Sequence, residues 1–160
     1  VSSLVPSLLL SAGGERLGVA SGLDRADLER AIATLRSHQR PDGGFGYWTG
    51  SDGSEPWLTG YALLALLRAR AADLPVTERA IGAARRYLER LPPDAETTPI
   101  DQAWLEDVLA TAGAPRRDRI AALAAGPTAL RPLGRALLAH AAAVAGERAL
   151  GRSLDRKSVV

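Results

Sequence analysis

Two adjacent runs constrain this chain most: Gln39-Arg40-Pro41-Asp42-Gly43-Gly44-Phe45-Gly46-Tyr47-Trp48, and Pro56-Trp57-Leu58-Thr59-Gly60-Tyr61 just after it. The first closes one helical pattern and the second opens the next. Together they hold two of the three tryptophans and the only phenylalanine of a chain that is 4% aromatic. A buried aromatic ring removes about 150 to 250 Å² from water, so this concentration predicts a connection that is itself packed. Glycines among the rings allow close backbone approach. Trp48 and Trp57 are therefore expected to pack against the 39–61 turn.

Gly and Pro cut the rest of the chain into helical segments, and no segment alternates apolar and polar residues as a half-buried strand would. Residues 24–38 begin at Asp24 as N-cap, with Asp27 in the first turn, Leu23 placed to staple onto Leu28, and one apolar stripe of Leu28, Ile32 and Leu35. Residues 56–72 carry Trp57, Leu58, Tyr61, Leu63, Leu64, Leu66 and Leu67 with almost no polar face before Arg68 and Arg70, so that helix is expected to be buried on all sides. Residues 78–91 return to one stripe, Ile81, Ala84, Leu88 and Leu91, with Thr77 as N-cap and Val76 stapled to Ile81.

The alternation continues. A helix from Thr98-Pro99 to Ala112 carries Ile100, Trp104, Leu105, Val108 and Leu109, with Gly113 suited to its C-terminal cap. A basic-faced helix runs from Pro115 to Ala125. Residues 132–145 again read as apolar nearly all round, and a short polar helix follows from Glu147 to Leu154. Apolar helices alternating with one-sided ones predict an all-α protein of six or seven helices in antiparallel hairpins. The apolar helices would form an inner layer and the amphipathic ones an outer layer.

Length and charge exclude several functions. At 160 residues the chain is expected to be a single domain, part of a larger one. Twenty basic residues against 18 acidic ones, spread over helix faces, do not point to nucleic acid. With no cysteine, the chain has no disulfide, thiolate metal site or thiol nucleophile. Val1 starts without a basic n-region and Leu8-Leu9-Leu10 is too short for a signal-peptide core, so a targeting sequence is expected outside this segment.

Candidate chemistry reduces to structure. His38 sits where a positive charge complements a helix C-terminus, and His140 lies on an apolar helix, with no His-x-x-x-His spacing. Asp42 and Asp52-Gly53-Ser54-Glu55 miss the regular oxygen spacing of a calcium loop and suit tight turns instead. Gly43, Gly44 and Gly46 follow no strand and make no phosphate cradle. Glu106 and Asp107 are adjacent on a helix and diverge by about 100°, a poor acid/base pair. Phe45, Trp48, Trp57, Tyr61 and Trp104 are expected in the core. No catalytic residue, metal ligand or cofactor site is assigned.

Gln39 followed by Asp42-Gly43-Gly44-Phe45-Gly46 resembles the glutamine and glycine-aromatic turn of α/α-toroid proteins: terpene cyclases, prenyltransferase β subunits and the thioester domains of the alpha-2-macroglobulin and complement family. The Trp57-Leu58-Thr59-Gly60-Tyr61 opening is similar to the thioester domain's second helix, with Gly60 where that family usually has Ala. Arg68-Ala69-Arg70, Leu74-Pro75-Val76, Ala80 to Leu91 and Arg131 to Leu138 extend the likeness to bacterial alpha-2-macroglobulin proteins. Residues Val1 to Leu10 resemble the segment after that family's Cys-x-Glu-Gln thioester motif.

The resemblance implies a partial α/α toroid with Gln39, Asp42, Gly43, Gly44, Phe45, Trp48, Trp57 and Tyr61 as its structural motif. It also implies a part in a periplasmic or extracellular, lipid-anchored protease inhibitor, not an enzyme. Its partners would be target proteases and neighbouring domains of the same protein. The alternatives are a toroid enzyme of the terpene cyclase or prenyltransferase type, and a non-covalent scaffold toroid. Against the enzyme, the chain has no Asp-x-Asp-Asp and lacks the cysteine of a prenyltransferase zinc site. An arc with fewer helices than a closed toroid would leave the flank of the 133–144 helix open. It is expected to be covered by self-association or by Leu150–Val160 folding back, with Leu154, Val159 and Val160 as candidates.

Overall fold

A computed structural model describes residues 24–47, 53–92, 98–126 and 130–156. Leu23, Trp48, Asp52, Val159, Val160 and the Val1–Leu10 segment lie outside them. Among the described residues there are seven helices and no strand: α1 (Arg25–Ser37), α2 (Pro56–Ala71), α3 (Glu78–Glu89), α4 (Pro99–Thr111), α5 (Arg117–Ala125), α6 (Pro132–Val144) and α7 (Arg148–Arg156). The protein is all-α. The chain divides into two compact units, one ending at Leu88 and one starting at Glu89.

In the first unit, α1 starts at a reciprocal cap. Asp24 Oδ1 accepts from the Asp27 amide at 2.7 Å, and Asp27 Oδ2 accepts from the Asp24 amide at 3.3 Å. Both donors would otherwise be orphaned in the first helical turn. The helix buries Ala31, Ile32 and Leu35 and stops at His38. Two links fix α1 and α2 as an antiparallel hairpin. The Arg25 guanidinium donates to the Asp73 carbonyl, just past the end of α2, at 2.7 Å, while Phe45, beyond the end of α1, bonds to Thr59 in the first turn of α2 at 2.8 Å. Helix α3 buries one stripe, Ala80, Ile81, Ala84 and Leu88, and its capping Thr77 hydroxyl accepts from the Ala80 amide at 3.3 Å.

Helix α2 departs from its expected burial on all sides. Leu58, Thr59, Ala62, Leu63, Ala65, Leu66 and Ala69 are buried, but Trp57 is 43% exposed, Tyr61 and Leu64 are half-buried and Arg68 is exposed. Residues 57, 61, 64 and 68 fall on one helical stripe, which is the outward face. The apolar run hid that stripe because its first three outward positions, 57, 61 and 64, carry aromatic and aliphatic residues and a charge appears only at Arg68.

The second unit has an alanine-rich core of Ala103, Ala110, Ile120, Leu138, Ala141, Ala142, Ala145 and Leu154. Small side chains let helix axes approach closely. A Cβ on Gly151 of α7 would lie 3.1 Å from the Ala139 carbonyl oxygen of α6, so a larger residue there would press α7 slightly away from α6. The α4 helix ends through Gly113 at φ +79°, with the Ala114 amide bonded to the Leu109 carbonyl at 2.9 Å. Leu150 and Leu154 pack into the core beside α6, as the fold-back expectation requires of Leu154.

Helix α6 is one-sided, contrary to its expected burial nearly all round. It buries Gly134, Leu138, Ala141 and Ala142, while Leu133 is 61% and Val144 48% exposed. Alanine explains the difference. A methyl group reads as apolar in a pattern, yet leaving it in water costs little, so Ala136 and Ala143 sit on the exposed face.

Candidate functional site

The 39–59 connection is a hydrogen-bonded knot joining α1, α2 and α3. Gln39 and Phe45 form an isolated antiparallel bridge, so the chain turns back on itself directly after α1. The Arg40 amide donates to the Gly44 carbonyl and the Gly43 amide to the Arg40 carbonyl, each at 2.9 Å. Asp42 Oδ1 accepts from the Gly44 amide at 2.9 Å and from the Ser54 hydroxyl at 2.8 Å, closing the turn and tying its two halves together.

Each neighbouring helix is then engaged by a specific group. Gln39 Nε2 donates to the Gly43 carbonyl at 3.1 Å and to the Ala80 carbonyl of α3 at 2.9 Å. The Thr59 hydroxyl accepts from the Phe45 amide and donates to the Glu55 carbonyl, both at 2.8 Å, and the Glu55 amide returns to the Phe45 carbonyl at 2.8 Å. Tyr87 of α3 donates its hydroxyl to the Ser54 carbonyl at 2.8 Å. Phe45 is fully buried at the centre. A buried backbone group left unpaired costs about 1 to 3 kcal/mol, and here the side chains of Gln39, Asp42, Thr59 and Tyr87 supply partners that the backbone alone does not.

The glycines are required by space. Gly43 has φ +95°, and a Cβ there would lie 2.4 Å from the Ala83 carbonyl oxygen. At Gly46 a Cβ would meet the Arg40 guanidinium, at 2.3 Å, the movable end of a flexible side chain, so there the requirement for glycine is weaker.

Of the sequence-predicted motif residues, the structure brings Gln39, Asp42, Gly43, Gly44 and Phe45 into the knot. Trp48 lies outside the described residues. Trp57 is the correction: it was expected to pack into the turn, but its ring is exposed and stacks edge-on against Tyr61, with centroids 4.3 Å apart. As the second residue of α2 it stands on the outward stripe with Tyr61, Leu64 and Arg68, while Leu58 and Thr59 of the same turn face inward. Sequence reasoning assigned no role to Thr59 or Tyr87. A hydroxyl in an otherwise apolar first turn was the available signal for Thr59; Tyr87 gave none.

In the second unit the adjacent carboxylates of α4 do diverge. Glu106 is 1% exposed and takes a two-pronged contact from Arg116, Nε to Oε2 at 3.0 Å and Nη2 to Oε1 at 2.6 Å, with Arg119 Nε 3.6 Å from Oε1. Asp107 faces α6 and lies 2.6 Å from His140 Nδ1. Burial pushes the Asp107 carboxyl above its usual range, only partly offset by the hydrogen bond and charge of His140. Both pairs tie helices together, α4 to the start of α5 and α4 to α6. Among the described residues no group of three or more His, Cys, Asp or Glu converges as metal ligands would.

The fold and the knot define a helical packing domain whose conspicuous polar residues join helices. No family model matches the chain. Alpha-2-macroglobulin of Escherichia coli strain K12 is 34% identical to it over 93 residues, 56% of this chain. The crystal structure of the native Escherichia coli protein from domain MG7 to the C-terminus superposes with a TM-score of 0.76 at 25% identity, covering 98% of this chain and 27% of that one. Salmonella alpha-2-macroglobulin reacted with methylamine gives 0.76 at 26% identity, covering 98% of this chain and 11% of that one. The chain is thus similar, over nearly all of its length, to a segment of bacterial alpha-2-macroglobulins. It spans about 6% of the length of the curated relative it matches.

Proposed function

We propose that this segment is part of the thioester domain of a bacterial alpha-2-macroglobulin-like protease inhibitor, with the helical knot holding the domain's helices in register. The observation that carries the reading is the likeness to bacterial alpha-2-macroglobulin structures over 98% of this chain. The Salmonella relative's reaction with methylamine fits thioester chemistry: the amine nitrogen attacks the acyl carbonyl, and the cysteine sulfur leaves as thiolate. This chain has no cysteine and supplies no thioester of its own, so its part is architectural. In the full-length protein the partners are the attacking protease and the neighbouring domains, and the setting is periplasmic or extracellular with a lipid anchor.

The test uses the full-length parent. Mixed with trypsin, it should protect a large protein substrate and form an adduct that survives denaturing electrophoresis, and methylamine pretreatment should abolish the adduct. Protection without an adduct would demote the covalent trap to a scaffold that encloses its target. A parent that leaves trypsin fully active on large substrates would end the inhibitor reading.

A further inference from the structure

The first unit carries a groove of about 730 Å³ between the end of α1, the start of the knot and the first turns of α3. Four arginines line it, Arg36, Arg40, Arg79 and Arg86, together with alanines that include Ala33 and Ala83, and no carboxylate is among the lining residues. The charge is local. The chain as a whole is only +2, and four exposed arginines outside the groove have an acid beside them, Arg25 with Glu29, Arg30 with Asp27, Arg70 with Glu78 and Arg117 with Glu147, whereas Arg68, Arg131, Arg148 and Arg152 are exposed with no ion pair among the described residues. Arg36, Arg79 and Arg86 are exposed and take part in none of the ion pairs formed among the described residues. The nearby acids are committed: Glu78 to Arg70, and Asp42 to Ser54 and the Gly44 amide.

Like charges gathered around one concavity repel and raise its potential. An anionic occupant relieves that repulsion, and guanidinium forks suit carboxylates in two-pronged contacts. The volume lies within the range of about 300 to 1,000 Å³ typical of binding sites. Guanidinium groups interspersed with alanine methyls favour a polypeptide, whose Glu and Asp stems can lie on the methyl groups while their carboxylates reach the arginines. A compact inorganic anion would use the guanidinium groups and leave the alanines without a partner.

We propose that this groove docks an acidic polypeptide segment, held by Arg36, Arg79 and Arg86. The inference stands independently of the protease-inhibitor reading. It is tested on the 160-residue chain by fluorescence anisotropy with a labelled peptide of alternating Glu and Ala. Binding should be saturable at low salt and should weaken steeply as salt rises. The triple reversal Arg36→Glu, Arg79→Glu, Arg86→Glu should weaken it at least tenfold, while Arg117→Glu with Arg148→Glu in the second unit should change it less than twofold. Arg40 is left intact because its guanidinium fills the space over Gly46. If the triple reversal alters the helical circular dichroism, Arg36→Gln with Arg86→Gln replaces it, with at least a threefold loss expected. No saturable binding, equal loss in the second-unit control, or equal affinity for inorganic polyphosphate of the same charge would each overturn the proposal.

Discussion

Gly43→Ala tests whether the knot is held by backbone contact. Two costs can be separated with Gly113→Ala as the reference, because Gly113 has φ +79° and a Cβ there would meet nothing within 4 Å. At Gly113 only conformational strain operates, about 1 to 2 kcal/mol for an L-residue in the left-handed region. The smaller unfolded-state entropy of Ala offsets about 0.4 to 1 kcal/mol of it. At Gly43 the same strain is joined by a Cβ 2.4 Å from the Ala83 carbonyl oxygen, with the Ala83 carbonyl carbon at 2.8 Å. Neither atom belongs to a flexible side chain, so α3 must move away from the turn. That movement stretches the Gln39 to Ala80 bond of 2.9 Å and the Tyr87 to Ser54 bond of 2.8 Å. Losing two such bonds, at about 0.5 to 1.5 kcal/mol each, makes Gly43→Ala cost about 1 to 3 kcal/mol more than Gly113→Ala. Urea melts followed by circular dichroism give the totals, and amide exchange at Phe45 and Glu55 localises the loss. Equal destabilisation by the two substitutions, with Phe45 exchange unchanged, would refute the contact argument.

Three further outcomes follow from the same geometry. Trp57→Ala should cost less than the ~3 to 5 kcal/mol typical of a buried aromatic deletion, because the residue is 43% exposed; a urea melt showing a loss in that full range would mean the ring is covered. Glu106→Gln should destabilise by about 2 to 4 kcal/mol, since Arg116 and Arg119 lose their buried counter-charge, whereas Glu106→Met combined with Arg116→Met should recover much of that in the same assay. For Asp107 the folded-state pKa is raised, so its stabilising effect is fully present below the ordinary carboxylate range and is lost as pH rises through the folded value. Measured against Asp107→Asn, the native protein should therefore lose relative stability as pH rises above the ordinary carboxylate range, and a relative gain on the same rise would contradict the raised pKa.

The all-helical class was legible because helix ends carry local signatures. Asp24 with Asp27, Thr77, Thr98 before Pro99, and Gly113 each act within a few residues of chain, so their chemistry is written in consecutive letters. The turn at Asp42-Gly43-Gly44-Phe45 was legible for the same reason, since Gly43 needs its left-handed backbone wherever the rest of the chain goes. Burial of whole helices was less so. Trp57 and Leu133 are apolar by composition yet exposed, because hydrophobicity says what a residue gains from burial and not whether a neighbour arrives to bury it.

The sequence by itself determined the helices, their caps and the turn, because hydrogen bonds between residues two to four apart need no distant partner. Only the tertiary structure decided that Thr59 would receive the Phe45 amide, that Gln39 would reach Ala80 across 41 positions, that Glu106 would sit buried under Arg116, and that four arginines would line one groove. Those contacts depend on how helices pack, and each residue in them would read as an ordinary surface or core residue until its partner is brought within a few ångströms.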